Sequence, residues 1–123
     1  MNKTFHNNTI YLKNINNKTL YFNDINQGTT IHIKKCYNLK IYITLKINKI
    51  IIEKSQKILI NNNDMICGFE INKSSYILIK PPNNNSIPFI GMYKSTVYLV
   101  GSIELFSDVI IHSEISELYN VTF

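Results

Sequence analysis

A Lys followed by a small residue recurs at Lys35-Cys36, Lys54-Ser55, Lys73-Ser74 and Lys94-Ser95, at spacings of 19, 19 and 21 residues. Large apolar residues stand five and three positions before each small one: Ile31 and Ile33, Ile50 and Ile52, Phe69 and Ile71, Ile90 and Met92. Three and five positions after it come Leu39 and Ile41, Ile58 and Ile60, Ile77 and Ile79 and, less regularly, Tyr98 and Val100. A buried helix face repeats at steps of three and four, whereas these pairs are two apart, as on one face of a strand. A unit of about 19 residues cannot bury its apolar face alone, so successive units must stack and bury one another. The pattern predicts an all-β chain wound as a parallel β-helix, a solenoid of about six coils. At about 4.8 Å per coil its length would be roughly 29 Å.

The units are least regular at the two ends of the chain. Residues 1–8 read as a loose, polar lead-in, and 9–123 as a single domain. Thr9 to Leu12 and Leu20 to Phe22 are short strand candidates between Asn-rich turns. Lys18-Thr19 reads as a degenerate first copy of the Lys-small pair, because Asn14 and Asn16 fall where the apolar pair belongs. End repeats of a solenoid are often atypical, having no neighbour on one side, and this coil reads as an N-terminal cap. The Asn61-Asn62-Asn63 and Pro81-Pro82-Asn83-Asn84-Asn85 runs fall between strands, where αL-tolerant Asn and φ-locked Pro suit a corner. The longer run accounts for the 21-residue spacing. Beyond Val100, strand candidates cover Ser102 to Phe106, Asp108 to His112 and Leu118 to Val121, with Ser113 or Ser116 as the sixth small residue.

Composition narrows the chemistry. The 123 residues include no Ala, Arg or Trp, and all 13 basic residues are Lys. Ile and Tyr favour a pleated, packed surface, and the best helix former is missing. The net charge of +5 permits an acidic partner, although lysines spread along the chain also serve simply to solvate a surface. Cys36 occupies a small-residue position and is expected as a buried thiol in a side-chain stack; with Cys67 it suits a reducing, cytosolic compartment. Met1 to Asn8 carries no secretory signal, and no apolar run reaches the roughly 18 residues of a membrane span.

Catalytic and metal signals are poor. His6, His32 and His112 lack ligand spacing, Cys-x-x-Cys does not occur, and His32, between Ile31 and Ile33, should point outward. Four glycines cannot build a phosphate loop. Glu53 and Glu70, one coil apart, could approach within about 5 Å on a surface ladder, the separation of a retaining glycosidase, but no other carboxylate supports them. The chain is read as no enzyme, with no cofactor and no metal. Nucleic acid is not expected as a partner either, because Arg is absent.

Several short motifs, in order, carry a resemblance: Ile33-Lys34-Lys35-Cys36-Tyr37-Asn38, Lys46-Ile47-Asn48-x-Ile50, Glu70-Ile71-Asn72-Lys73-Ser74, Ile87-Pro88-Phe89-Ile90, Lys94-Ser95-x-Val97-Tyr98-Leu99 and Ser116-Glu117-Leu118-Tyr119-Asn120-Val121. Over roughly residues 9 to 122 the chain resembles the C-terminal domain of cyclase-associated protein, within the cofactor C-like superfamily. The resemblance implies a right-handed β-helix that binds actin monomers, favours the ADP form and promotes nucleotide exchange on them. It also implies a cytoplasmic, cytoskeleton-associated protein with no membrane contact. The residues matching the family motifs, and so the implied actin contacts, are Lys46, Lys73, Lys94, Glu117 and Asn120.

Three departures stand out. The family usually has Asp-Gly after the Lys-Thr/Ser of the Val-Tyr-Leu coil, where Thr96 here follows Lys94-Ser95 directly. The final coils are shortened around Phe106-Ser107. The family also continues past Asn-Val into a hairpin exchanged between two chains, whereas this sequence stops at Phe123. An apolar last strand nonetheless leads us to expect a homodimer through the C-terminal coil. Two alternatives stand beside the actin reading. One is a scaffold like tubulin-folding cofactor C, lacking the arginine that its GTPase-stimulating activity needs. The other is a structural β-helix that self-assembles.

Overall fold

The computed structural model describes residues 2–6, 8–80, 87–100, 109–111 and 116–121, with side chains for 8–80, 87–100, 116, 117 and 119. Among these residues lie thirteen strands and no helix. Strands β2 (Thr9–Lys13), β4 (Thr30–Lys34), β6 (Ile47–Glu53), β8 (Met65–Asn72), β10 (Ile90–Tyr93) and β12 (Val109–Ile111) lie side by side and parallel. The expected lead-in forms β1 (Asn2–His6), which pairs antiparallel with β2 and makes this sheet seven-stranded. Strands β3 (Asn16–Phe22), β5 (Tyr37–Ile43), β7 (Gln56–Asn61), β9 (Ser75–Ile79), β11 (Thr96–Val100) and β13 (Glu117–Val121) form a parallel six-stranded sheet.

The chain is thus an all-β parallel solenoid in which each coil gives one strand to each sheet. Four coils, β4–β5 to β10–β11, have neighbours on both sides in both sheets. The pairs β2–β3 and β12–β13 flank them, where the repeat predicts about six equivalent coils.

The apolar pairs stack in register between the sheets. Ile31, Ile50, Phe69 and Ile90 form one column, and Ile33, Ile52, Ile71 and Met92 the next. Leu39, Ile58, Ile77 and Val97 face them, beside Ile41, Ile60, Ile79 and Leu99. All sixteen are at most 1% exposed, a continuous core that no coil could assemble alone. Val97 and Leu99, not Tyr98 and Val100, therefore supply the inward pair of β11. Strand β11 lacks a counterpart of the left-handed Tyr76 of β9, which moves the register by one and exchanges the two faces.

A second correction concerns the N-terminal coil. Asn14-Ile15, not Lys18-Thr19, is its copy of the repeated pair: Asn16 registers with Tyr37, and the Tyr37 N–H donates to the Ile15 carbonyl at 3.2 Å. Lys18 instead stands in register with buried Leu39 and is itself exposed. A charge at an apolar position of an edge strand ends the column and discourages further pairing, so the coil does act as a cap.

The small residues form an internal ladder at the corner between the sheets. The Cys36 N–H donates to Ser55 Oγ at 3.1 Å, the Ser55 N–H to Ser74 Oγ at 3.1 Å, and the Ser74 N–H to Ser95 Oγ at 3.2 Å. The Ser95 N–H donates to Ser116 Oγ at 3.2 Å, which makes Ser116 the fifth member of the ladder; Ser113 lies outside the described residues. The hydroxyls of Ser55, Ser74 and Ser95 donate to the carbonyls of Glu53, Asn72 and Tyr93 at 2.8–2.9 Å. Buried polar groups are thereby satisfied in series, which only a short side chain with a hydroxyl allows. Cys36, buried as expected, places Sγ 3.3 Å from the Leu12 carbonyl, and burial raises its pKa.

Left-handed backbone falls elsewhere than the Asn runs suggest. Asn61, Asn62 and Asn63 have no positive φ, whereas Lys35, Lys54, Lys73 and Lys94 have φ of 53°, 48°, 48° and 48°. Asn14 takes the equivalent position in the first coil at 55°. The Pro81 to Asn85 run, the shortening at Phe106-Ser107, His112 and Phe123 lie outside the described residues.

Candidate functional site

Each corner turns the chain by placing Lys in a left-handed conformation and the next side chain inward, so the lysine is thrown outward. Lys35, Lys54, Lys73 and Lys94 are all exposed and stand on successive coils, about 4.8 Å apart along the stack. Their backbones are tied down by the ladder. The N–H of Lys35, Lys54 and Lys73 donates to the Glu53, Asn72 and Tyr93 carbonyls of the following coil at 2.8–3.0 Å. A second left-handed column follows three residues later at Asn17, Asn38, Lys57 and Tyr76, with φ of 54–57°. The Lys94 corner lacks that second left-handed residue.

Aromatic rings crowd the same corner. Lys57 Nζ lies 5.7 Å from the Tyr37 ring and Lys94 Nζ 5.4 Å from the Tyr93 ring, distances at which a cation is attracted to the ring face. On the outer face of the six-stranded sheet, Tyr98 stacks between Tyr76 at 6.5 Å and Tyr119 at 5.2 Å, with ring planes within 17°. Lys35, Cys36, Tyr37, Lys54 and Gln56 line a shallow open groove of about 240 Å³.

The outer face of the seven-stranded sheet is electrostatically different. Lys49 Nζ is 2.8 Å from Glu70 Oε1, and His32, half-buried against Tyr11 at 5.4 Å, places Nε2 3.4 Å from Glu53 Oε1. Register sets Glu53 opposite Asn72, and Glu70 opposite Ile51, so the two carboxylates are offset and meet different cations instead of forming a pair. Among the described residues, no three His, Cys, Asp or Glu side chains gather as a metal site.

The structure brings some of the expected contacts together and separates one. Lys73 and Lys94 are neighbours in the corner column. Glu117 opens β13 one coil further on, opposite Thr96; its N–H donates to the Ser95 carbonyl at 2.8 Å, and it accepts from the Tyr119 hydroxyl. Asn120 registers with Leu99. Lys46 sits in the connection from β5 to β6, and the seven residues of β6, about 23 Å of strand, part it from Lys54. Sequence reasoning missed Lys35 and Lys54 as members of the column and Lys57 beside it, together with the tyrosine stack. The repeated Lys-small pair was the available signal for the first two.

A parallel β-solenoid cornered by a lysine outside and a serine inside defines the class: a β-helix domain of the cyclase-associated type. The family described as adenylate cyclase associated (CAP) C terminal matches residues 2–122, and the chain belongs to that family. The crystal structure of cyclase-associated protein from Cryptosporidium parvum is similar to it, with a TM-score of 0.82 and 19% identity, over 98% of this chain and 77% of that one. At that identity the likeness concerns the fold. No curated protein matches the sequence. The family is one of non-enzymatic, actin-monomer-binding modules. Among the described residues, no helix is long and apolar enough to cross a membrane.

Proposed function

We propose that residues 9–123 act as one actin-monomer-binding domain in the cytoplasm, associated with the cytoskeleton, and that Lys73 and Lys94 lead the contact. Glu117 and Asn120 extend it along β13, and Lys46 makes a separate contact. The observation that carries the reading is the choice of Lys at the left-handed corner positions. A left-handed residue other than Gly costs about 1–2 kcal/mol, and Asn bears that cost more easily. The chain is rich in Asn and uses it at Asn14, yet four successive corners carry Lys. A cation held at a strained position on four successive coils suits an extended acidic surface better than it suits folding.

The finer reading has the domain prefer ADP-actin, promote its nucleotide exchange, and pair with a second copy through the C-terminal coil. A pull-down with ADP-actin, ATP-actin and tubulin side by side tests it. Retention of actin, most strongly in the ADP form, with no tubulin is expected. Tubulin without actin would overturn the proposal.

A further inference from the structure

The outer face of the six-stranded sheet carries large apolar groups that no element of the described chain covers. Along one outward row Leu59, Leu78, Tyr98 and Tyr119 follow one another in register, and Tyr76 lies beside them, 59% exposed. The corner lysines Lys54, Lys73 and Lys94 border this row on the same coils, and Lys57 and Lys80 stand on the same face.

Charge distinguishes this face from the rest of the described chain. Glu53 and Glu70 lie on the other sheet beside His32 and Lys49, while Asp24 and Asp64 lie in the connections that return to it. Of the described carboxylates only Glu117 belongs to the six-stranded sheet, and it accepts from Tyr119. The face is thus a tyrosine and leucine centre rimmed by lysines. Interfaces take this form when fully desolvated aromatic anchors supply the energy and rim charges exclude water and steer the partner.

We infer that Tyr76, Tyr98 and Tyr119, with Leu59 and Leu78, form the apolar centre of a docking surface for an acidic protein partner, with the corner lysines as its rim. The inference rests on the reading above, in which that partner is the actin monomer, and it moves the main binding energy from the lysines to the tyrosine stack. Tyrosine suits the task because it presents a large rigid area at little entropic cost and keeps a hydroxyl for the wet edge.

The test uses residues that the same columns already hold, so that the fold is kept. Tyr76→Asn copies Asn38, Tyr98→Thr copies Thr19, and Tyr21→Asn, a control in the Tyr21–Tyr42 stack at the other end of the sheet, copies Asn61. Affinity for fluorescently labelled ADP-actin is measured with the melting temperature of each variant. The Tyr76→Asn/Tyr98→Thr double variant is expected to bind about tenfold more weakly or worse at unchanged melting temperature, with Tyr21→Asn within about twofold of wild type. Wild-type affinity in the folded double variant, or an equal loss in Tyr21→Asn, overturns the inference and leaves the actin reading standing. A wild type that binds no actin overturns both. Sedimentation that shows a wild-type dimer abolished by the double substitution would instead assign the face to a second copy of this chain, and would also overturn it.

Discussion

Each coil turns twice, and its two turns follow different rules. From β2 to β11, the turn from the seven-stranded to the six-stranded sheet is two residues long: Asn14-Ile15, Lys35-Cys36, Lys54-Ser55, Lys73-Ser74 and Lys94-Ser95. The return turns run over 23–29, 44–46, 62–64 and 80–89, from three to ten residues. Their polar groups find partners on neighbouring coils, as where Asn63 Nδ2 donates to the Thr44 carbonyl at 3.0 Å, and also close by in sequence. The Gly28 N–H donates to Asn26 Oδ1 at 2.9 Å, and the Asp64 N–H to Asn63 Oδ1 at 2.8 Å. The short turn instead takes its partners from the coils above and below, through the serine ladder. A turn that is partly bonded to itself can change length, whereas one held by a ladder to both neighbours must repeat. The side chains on the short turn are consequently periodic, a column of like residues.

The sharpest way to break this contrast is to lengthen each turn by one residue. A Gly inserted between Lys73 and Ser74 shifts β9 by one position, turning Ile77 and Ile79 outward. Exposing two such side chains should cost more than about 3 kcal/mol, or abolish cooperative melting. The same insertion between Asn62 and Asn63 should cost less than about 1 kcal/mol, because loop entropy grows slowly with length. Chemical denaturation of the two variants compares them directly, and equal losses would refute the contrast.

Ser74→Ala asks whether the ladder itself stabilises. It orphans the Ser55 N–H, while the Asn72 carbonyl keeps the Lys54 N–H as a donor. A loss of about 1–3 kcal/mol in denaturation is expected, the cost of one buried unpaired donor.

Lys54→Gly tests backbone strain. Relief of the left-handed conformation opposes the extra freedom that Gly gains on unfolding, so stability should hold or rise by up to about 1 kcal/mol. Thr44→Gly, in a return turn without positive φ, should lower the melting temperature.

The smallest effect belongs to Cys36. Burial raises its pKa above that of an ordinary thiol, so the folded state holds the proton more tightly than the unfolded chain. That contribution is complete below the unfolded pKa and is lost as pH rises through the folded one. A wild-type melting temperature that declines above about pH 9 faster than that of Cys36→Ser is expected. Native alkylation should reach exposed Cys67 and spare Cys36.

The fold was legible because it is written twice, in a step of two and a period of 19, and every stacked Ile pair of the middle coils follows from those intervals. The ends were less so. Ile15 hides the first corner because a large residue takes the small position where no coil lies beneath, and the loss of a Tyr76 counterpart in β11 inverts Val97 and Tyr98. The left-handed lysines carried no local signal, since Lys has no turn preference of its own and tertiary hydrogen bonds impose its conformation. Of the site, Lys73 and Lys94 could be read from the repeated pair. The tyrosine stack could not, since residues 21 and 22 apart become neighbours only once the register of each coil is fixed.

The most direct test of the lysine column as a binding surface is a titration of ADP-actin with two charge-matched triple variants. Lys54→Asn/Lys73→Asn/Lys94→Asn removes the column with a residue that tolerates left-handed backbone, and Lys13→Asn/Lys18→Asn/Lys40→Asn removes as much charge near the N-terminal cap. The first should weaken binding at least about tenfold at an unchanged melting temperature, and the second by less than about threefold. Equal losses would mean diffuse attraction only, and a column variant that binds like the wild type would contradict the assignment.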